Sequence, residues 1–234
     1  MDSGGRSDLE AGERKQHTMT RVIDDTLYEQ YLTSLLAGKR EACSMIVMEL
    51  LAAGFEPKDL YVHLFQRAQY RVGELWEQQK ISVAVEHLST AITQRMLTLV
   101  QGQVLKGPER SRTIIIACVA DEFHQLGGRM IADFCELRGW RGYFQGANTP
   151  LADLLRMIED HKPDLLGLSL SIYFNLPALV RALDAVTEKY PDLPILVGGQ
   201  AFRWGAETAI KSYPTVSYIA SLDELEQRMA EYEH

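Results

Sequence analysis

Apolar residues in roughly the first hundred positions recur at helical spacing. From Asp24, Leu27, Tyr31 and Leu35 form one row and Tyr28, Leu32 and Leu36 the row beside it, with Gly38 as the stop. A second helix is predicted through Ala42, Ile46, Leu50 and Ala53 to Gly54, and a third opens at Pro57 and carries Leu60, Leu64, Ala68, Val72 and Leu75. A fourth begins near Ser82 and continues through Val85, Leu88, Ile92, Met96 and Leu99. Four amphipathic helices with short connections predict an antiparallel bundle.

Gly102 to Arg112, rich in Gly, Pro and charge, reads as a linker, and beyond it the period changes. Thr113 to Val119, Asp164 to Leu170 and Leu193 to Val197 are short apolar runs of the kind found in strands buried on both faces, with weaker strands at Gly142 to Gln145 and Val216 to Ala220. Helical patterns fall at Gly127 to Leu137, Leu151 to Asp160, Leu176 to Lys189, Gly205 to Ser212 and Leu222 to Tyr232. The alternation predicts a parallel, doubly wound sheet of five strands. The expected architecture is therefore all-α followed by α/β: a tail over 1–21, a four-helix bundle cap over 22–104 and a Rossmann-like domain over 112–234.

Composition narrows the function classes. Lys and Arg number 24 against 32 Asp and Glu, a formal charge of −8, which argues against a sequence-independent grip on nucleic acid phosphates. No apolar run reaches the roughly 18 to 20 residues of a membrane span, and Met1 to His17 lacks the apolar stretch of a secretory signal. Met19 is a second possible start. Cys43, Cys118 and Cys135 are an odd number without metal-type spacing, as expected of a protein in the reducing cytoplasm.

Ligands of doubly wound sheets bind outside the carboxyl ends of the strands. After the first strand comes Asp121-Glu122-Phe123-His124-Gln125-Leu126-Gly127-Gly128, after the third Ser169-Leu170-Ser171, and after the fourth Gly198-Gly199-Gln200, where missing side chains let a ligand approach the backbone. Taken singly, each has an ordinary reading: a loop or capping histidine, a serine bonded at a strand end, a plain glycine turn. His63 and His161 have no such company and read as structural.

Together, and in order, the three loops resemble the cobalamin-binding domain of methionine synthase, corrinoid carriers and mutases, with its acidic-x-His-x-x-Gly, Ser-x-Leu and Gly-Gly signature. Here Glu122-x-His124-x-x-Gly127 is followed after 41 residues by Ser169-x-Ser171 and after 26 more by Gly198-Gly199. The resemblance implies that His124 replaces the nucleotide base as lower ligand of cobalt, that Glu122 holds its other ring nitrogen, and that the displaced tail lies along the sheet. It assigns Ser169 to the buried base and Gly198 and Gly199 to leaving room for the tail. Ser171 stands where Leu is usual, and Glu122 where Asp is usual. Glu at that position is similar to the cobalamin photoreceptors, including the CarH-type light-sensing repressors, as are Gly146-Ala147-Asn148-Thr149-Pro150-Leu151 and Gly199-Gln200.

The cap carries Trp76 followed after nine residues by Glu86-His87. Alone, these read as a core aromatic and an exposed pair near a helix start. Beside the downstream loops they resemble the Trp-x9-Glu-His signature of the photoreceptor caps, in which the tryptophan packs over the upper ligand, the Glu-His pair lies beside it, and a valine, here Val83, lines the pocket. Repressor-type photoreceptors carry a histidine directly after the tryptophan as a second cobalt ligand in the lit state; here that residue is Glu77.

About 20 residues precede the cap, fewer than a helix-turn-helix domain needs. That layout resembles the AerR/PpaA family of cobalamin antirepressors. The resemblance implies a light-responsive regulator rather than an enzyme, binding adenosylcobalamin or methylcobalamin in the dark and hydroxocobalamin after light, and acting on a DNA-binding repressor without itself binding nucleic acid or membrane. The competing expectation is the corrinoid carrier of a methyltransferase system, which shares the two-domain layout; a distant third is a ligand-binding module that has lost cobalamin. The sequence leaves the oligomeric state open.

Overall fold

The computed structural model describes residues 22–104 and 112–232. The expected tail and most of the expected linker, at 105–111, lie outside the described residues. The cap comprises α1 (Asp25–Leu36), α2 (Arg40–Ala52), α3 (Pro57–Asp59) running through a π-helical stretch (Leu60–Gln66) into α4 (Arg67–Glu77), and α5 (Val83–Val104). Asp24 starts α1 by accepting the Leu27 backbone N–H at 2.8 Å. Gly38 and Gly54 take left-handed conformations after α1 and α2, as the helix stops require.

The π-helical stretch departs from the regular third helix that the spacing predicts. Leu60, Tyr61, Leu64 and Phe65 are all buried there; the same i, i+4 spacing also shares one face of an α-helix, so the apolar pattern carries no signal for the wider turn. Gln69, one turn on, donates to Thr93 Oγ1 at 2.6 Å and accepts from Thr90 Oγ1 at 3.2 Å, tying α4 to α5.

The second half forms β1 (Arg112–Cys118), α6 (Leu126–Leu137), β2 (Trp140–Gly146), α7 (Leu151–His161), β3 (Leu165–Ser169), α8 (Leu176–Lys189), β4 (Ile195–Gly198), β5 (Val216–Tyr218) and α9 (Leu222–Glu231). All pairings are parallel and the order is β2-β1-β3-β4-β5. The chain therefore reverses its winding between β1 and β3, the switch point where such sheets open a crevice. The helix expected over Gly205 to Ser212 is instead a short 3-10 segment, Ala206–Ile210, preceded by another at Gln200–Trp204. Gly205 between them has φ of 93°, which interrupts any continuous helix.

One core lies between the sheet and α7 and α8, and another between the sheet and α6 and α9. The cap core reaches across to the second half: Met130 of α6 belongs to it, and Leu126, Leu137 and Leu222 pack against it. Tyr61 donates to the buried Asp133 of α6 at 3.4 Å, and Lys58 pairs with Asp223 and Glu226 at 2.6 and 2.7 Å. The cap is thus seated on α6 and α9, beside the carboxyl end of the sheet. Among the described residues no helix is long and apolar enough to cross a membrane.

Candidate functional site

The loop after β1 is shaped by two residues that tolerate left-handed backbone, Asp121 (φ 65°) and Asn148 (φ 49°). Asn148 Oδ1 accepts the Asp121 N–H at 2.8 Å, its own N–H reaches Glu122 O at 2.7 Å, and Asn175 Nδ2 reaches Asp121 O at 3.0 Å. The loop is therefore clamped from both sides. Asn148 lies in a stretch already set apart by resemblance, whereas Asn175 carries no sequence signal.

Glu122 points inward and its side chain is fully buried. One oxygen accepts the ring N–H of His124 Nδ1 at 2.5 Å and the His124 backbone N–H at 2.9 Å. The other accepts the backbone N–H groups of Ser171 and Ile172, each at 2.8 Å. One carboxylate thus joins the loops after β1 and β3 across the switch point. Burial opposes its ionisation, but the His124 ring and the three backbone donors outweigh burial and hold the pKa down to about 2 from an ordinary 4.5. With the proton on Nδ1, His124 Nε2 is free to bind a metal. The Glu122 hydrogen bond raises the His124 pKa above its ordinary 6.5; burial opposes this, and the charge of Glu86 on the cap adds to it.

Trp76, Val83, Glu86, His87, His124, Gly127, Ser169, Ser171, Gly198 and Gly199 all line one cavity of about 1470 Å³ between cap and sheet, whereas Asp121, the buried Glu122 and the Gly146 to Leu151 stretch do not. His124, with Gly127 in the first turn of α6, forms part of its floor, and a Cβ on Gly127 would meet nothing within 4 Å. Ser169, Ser171 and Gly198 line it at the ends of β3 and β4, and Gly199 follows. Trp76 at the end of α4 and Val83, Glu86 and His87 at the start of α5 line the cap side, together with Glu77. Trp76 and Val83 are about half exposed, Glu86 is mostly covered and accepts from Thr90 at 3.2 Å, and His87 is largely exposed.

Two features go beyond the sequence reading. Gly199, with φ of 113°, is required by the protein itself: a Cβ there would lie 2.2 Å from the Leu170 carbonyl oxygen. In addition, Arg203 stacks over the ring of Tyr70 on α4 at 4.8 Å, a contact between cap and sheet at the cavity wall. A single-sequence pattern has no signal for a pair separated by this much chain.

Glu122→Gln places an amide N–H₂ against donors on one side or the other. The expected result is a loss of about 1–3 kcal/mol of stability in urea unfolding, with cofactor affinity reduced by roughly 10- to 100-fold. Because the folded pKa is depressed, the carboxylate stabilises the fold above pH 4.5, and that contribution disappears as pH falls toward about 2. Acid unfolding followed by circular dichroism should lose this component in the variant; superimposable wild-type and variant curves would contradict the assignment.

Comparison with known proteins places these features in a family. Two domain families described as B12 binding domains match the chain, one over residues 27–101 and the other over residues 112–227. The HTH-type transcriptional repressor CarH of Myxococcus xanthus is 30% identical over 183 residues, which cover 76% of this chain and 59% of CarH. The repressor CarA of the same organism is 27% identical over 124 residues, 53% of this chain and 43% of CarA. The chain thus spans only about half the length of these relatives. The structure of the Methanosarcina barkeri monomethylamine corrinoid protein superposes with a TM-score of 0.77 at 14% identity, covering 90% of this chain and all of that one, and so shares the fold. With both its helical and its Rossmann-like halves matched, the chain belongs to the B12-binding family of proteins.

Proposed function

We propose that this protein is a light-responsive cobalamin regulator that controls transcription through a DNA-binding repressor, and that it is not an enzyme. The observation that carries the reading is the placement of Trp76, Val83, Glu86 and His87 on the cap across one cavity from His124. The donor set fits the cofactor: Glu122 holds Nδ1 of His124 and leaves Nε2 for cobalt, and Gly127 leaves space beside it. Ser169, Ser171, Gly198 and Gly199 border the rest of the molecule. Bound adenosylcobalamin or methylcobalamin supplies a cobalt–carbon bond that light breaks.

Trp76, on the cap side of the cavity, would cover the upper group of such a cofactor and gain contact by doing so. Without that group the indole would lose those contacts, and the cap, seated on α6 and α9, would repack. Moving such an equilibrium from 1:99 to 99:1 takes about 5.5 kcal/mol. Glu77, Glu86 and His87 line the same side of the cavity and would set what takes the place of that group, water there corresponding to hydroxocobalamin. The decisive experiment is the visible spectrum of protein reconstituted in darkness with either alkylcobalamin, before and after illumination. A stable light-induced change that retains the histidine-bound form supports the reading.

Trp76→Ala is expected to keep the fold and the His124 bond, because the indole is half exposed, and to shrink the difference between dark and lit partner binding. Equal dark and lit affinities in the wild type, with methyl transfer to an added acceptor, would instead favour the corrinoid carrier, whose fold is shared. The net charge of −8 suits steering toward a basic DNA-binding domain. Mobility-shift assays at physiological salt are expected to show no sequence-specific DNA complex of this chain alone, dark or lit; such a complex would count against a partner-mediated mechanism.

A further inference from the structure

Resting on the light-responsive cobalamin reading, we propose that the Thr90 hydroxyl is a selector, a positioning group that couples Glu86 at the cavity wall to α4, the helix that carries Trp76. Thr90 lies on α5 one turn after Glu86, and both line the cap side of the cavity together with Gln69 of α4. Two acceptors stand at the same distance from Thr90 Oγ1: Glu86 Oε1 and Gln69 Oε1, each at 3.2 Å. The hydroxyl has one proton to give. Whichever acceptor takes it leaves the other with a weaker hold.

Gln69 is fixed in place as one of the two. Its Nε2 donates to Thr93 Oγ1 at 2.6 Å and to the Ser89 carbonyl at 3.3 Å, and Ser89 and Thr93 are fully buried. A rotated amide would set its oxygen against the Ser89 carbonyl, so Oε1 stays toward Thr90. Glu86 has an alternative. Its side chain is mostly covered, but its other oxygen lies 3.4 Å from Nε2 of His87, whose ring is largely exposed.

A charged oxygen is the stronger acceptor, so without a competitor the proton favours Glu86 and the Thr90–Gln69 bond between α5 and α4 is weak. A donor that engages Glu86 from the cavity side frees the proton for Gln69 and tightens α4 on α5. An upper group with hydroxyl and amine donors, such as adenosyl, would be such a competitor, and its loss would return the proton to Glu86 and slacken the helix that bears Trp76. The tryptophan and the Glu-His pair thereby respond together, although they sit on different helices.

The first test uses the chain without cofactor: carbodiimide-driven labelling of carboxylates, read at Glu86 by mass spectrometry, with Glu49 and Glu77 as exposed references. Thr90→Val should speed labelling of Glu86 roughly threefold or more, whereas Thr90→Ser, which keeps the hydroxyl, should leave it as in the wild type. Gln69→Met removes the competing acceptor and should slow labelling, by up to roughly twofold. Circular dichroism and the reference carboxylates should be the same in all four chains. Unchanged labelling in Thr90→Val, or unchanged or faster labelling in Gln69→Met, would overturn the selector, the last because Gln69 would then only prop Thr90 in place.

The second test follows amide hydrogen exchange of α4 in the chain loaded with adenosylcobalamin. Exchange in the wild type should be at least roughly threefold slower in darkness than after illumination, and Thr90→Val should lose most of that difference. No difference in the wild type, or one of equal size in Thr90→Val, would overturn the coupling and leave cobalamin binding standing. If adenosylcobalamin does not bind, the cobalamin reading itself fails and takes the role of the selector with it.

Discussion

His124→Ala is expected to leave the fold intact and to lower cobalamin affinity by more than roughly 100-fold, above the 10- to 100-fold that loss of an outer-shell partner brings. The ring is more than half exposed and supplies a bond rather than packing. Its removal also leaves Glu122 buried with one acceptor site short of a donor, though the His124, Ser171 and Ile172 backbone N–H groups stay in place. A small stability loss, well below that of Glu122→Gln, should accompany the affinity loss. The visible spectrum of any residual complex should revert to that of cobalamin without a protein ligand. An unchanged spectrum and affinity would remove His124 from the site altogether.

Gly199→Ala is expected to destabilise the protein by about 3–5 kcal/mol, because two costs coincide. The backbone sits in a region that L side chains avoid, and the new methyl meets a backbone carbonyl at 2.2 Å, which cannot rotate away. That carbonyl belongs to Leu170, between Ser169 and Ser171, and it accepts the Ala201 N–H while the Leu170 N–H reaches Gly198 O. Relief of the clash therefore shifts the loop that Glu122 holds. Gly127→Ala is the informative contrast, since it has open space around the new methyl and lies in a helix. It should leave stability unchanged or raise it by up to about 1 kcal/mol while reducing cofactor affinity by filling part of the cavity floor. Urea unfolding and spectral titration of both variants separate the roles; equal stability of the two would refute the steric account of Gly199.

The elements were legible in the sequence wherever a single period governed them. The Leu176–Lys189 helix falls where its periodicity places it, and the buried strands β1, β3 and β4 fall within one or two residues of the apolar runs. Legibility failed in two segments. At Leu60–Gln66 the apolar spacing suits an α-helix and a π-helical turn alike, so it could not signal the wider turn. After Gly205 the expected helix is only a short 3-10 segment, Ala206–Ile210.

The site divides in the same way. His124, the glycines and the serines that line the cavity were legible because they fall in short runs directly after predicted strands. The amino-acid sequence by itself determined the order of elements, the two halves, the loops that face the cavity and the histidine that lines it. Only the tertiary structure decided that Glu122 bonds two loops at once, that Asn148 and Asn175 clamp the histidine loop, that Gly199 answers to Leu170, and that Arg203 meets Tyr70. The physical reason is distance along the chain: these contacts join residues brought together by strand order and cap docking, and a local pattern of polarity carries no record of which distant backbone group or ring will arrive beside it.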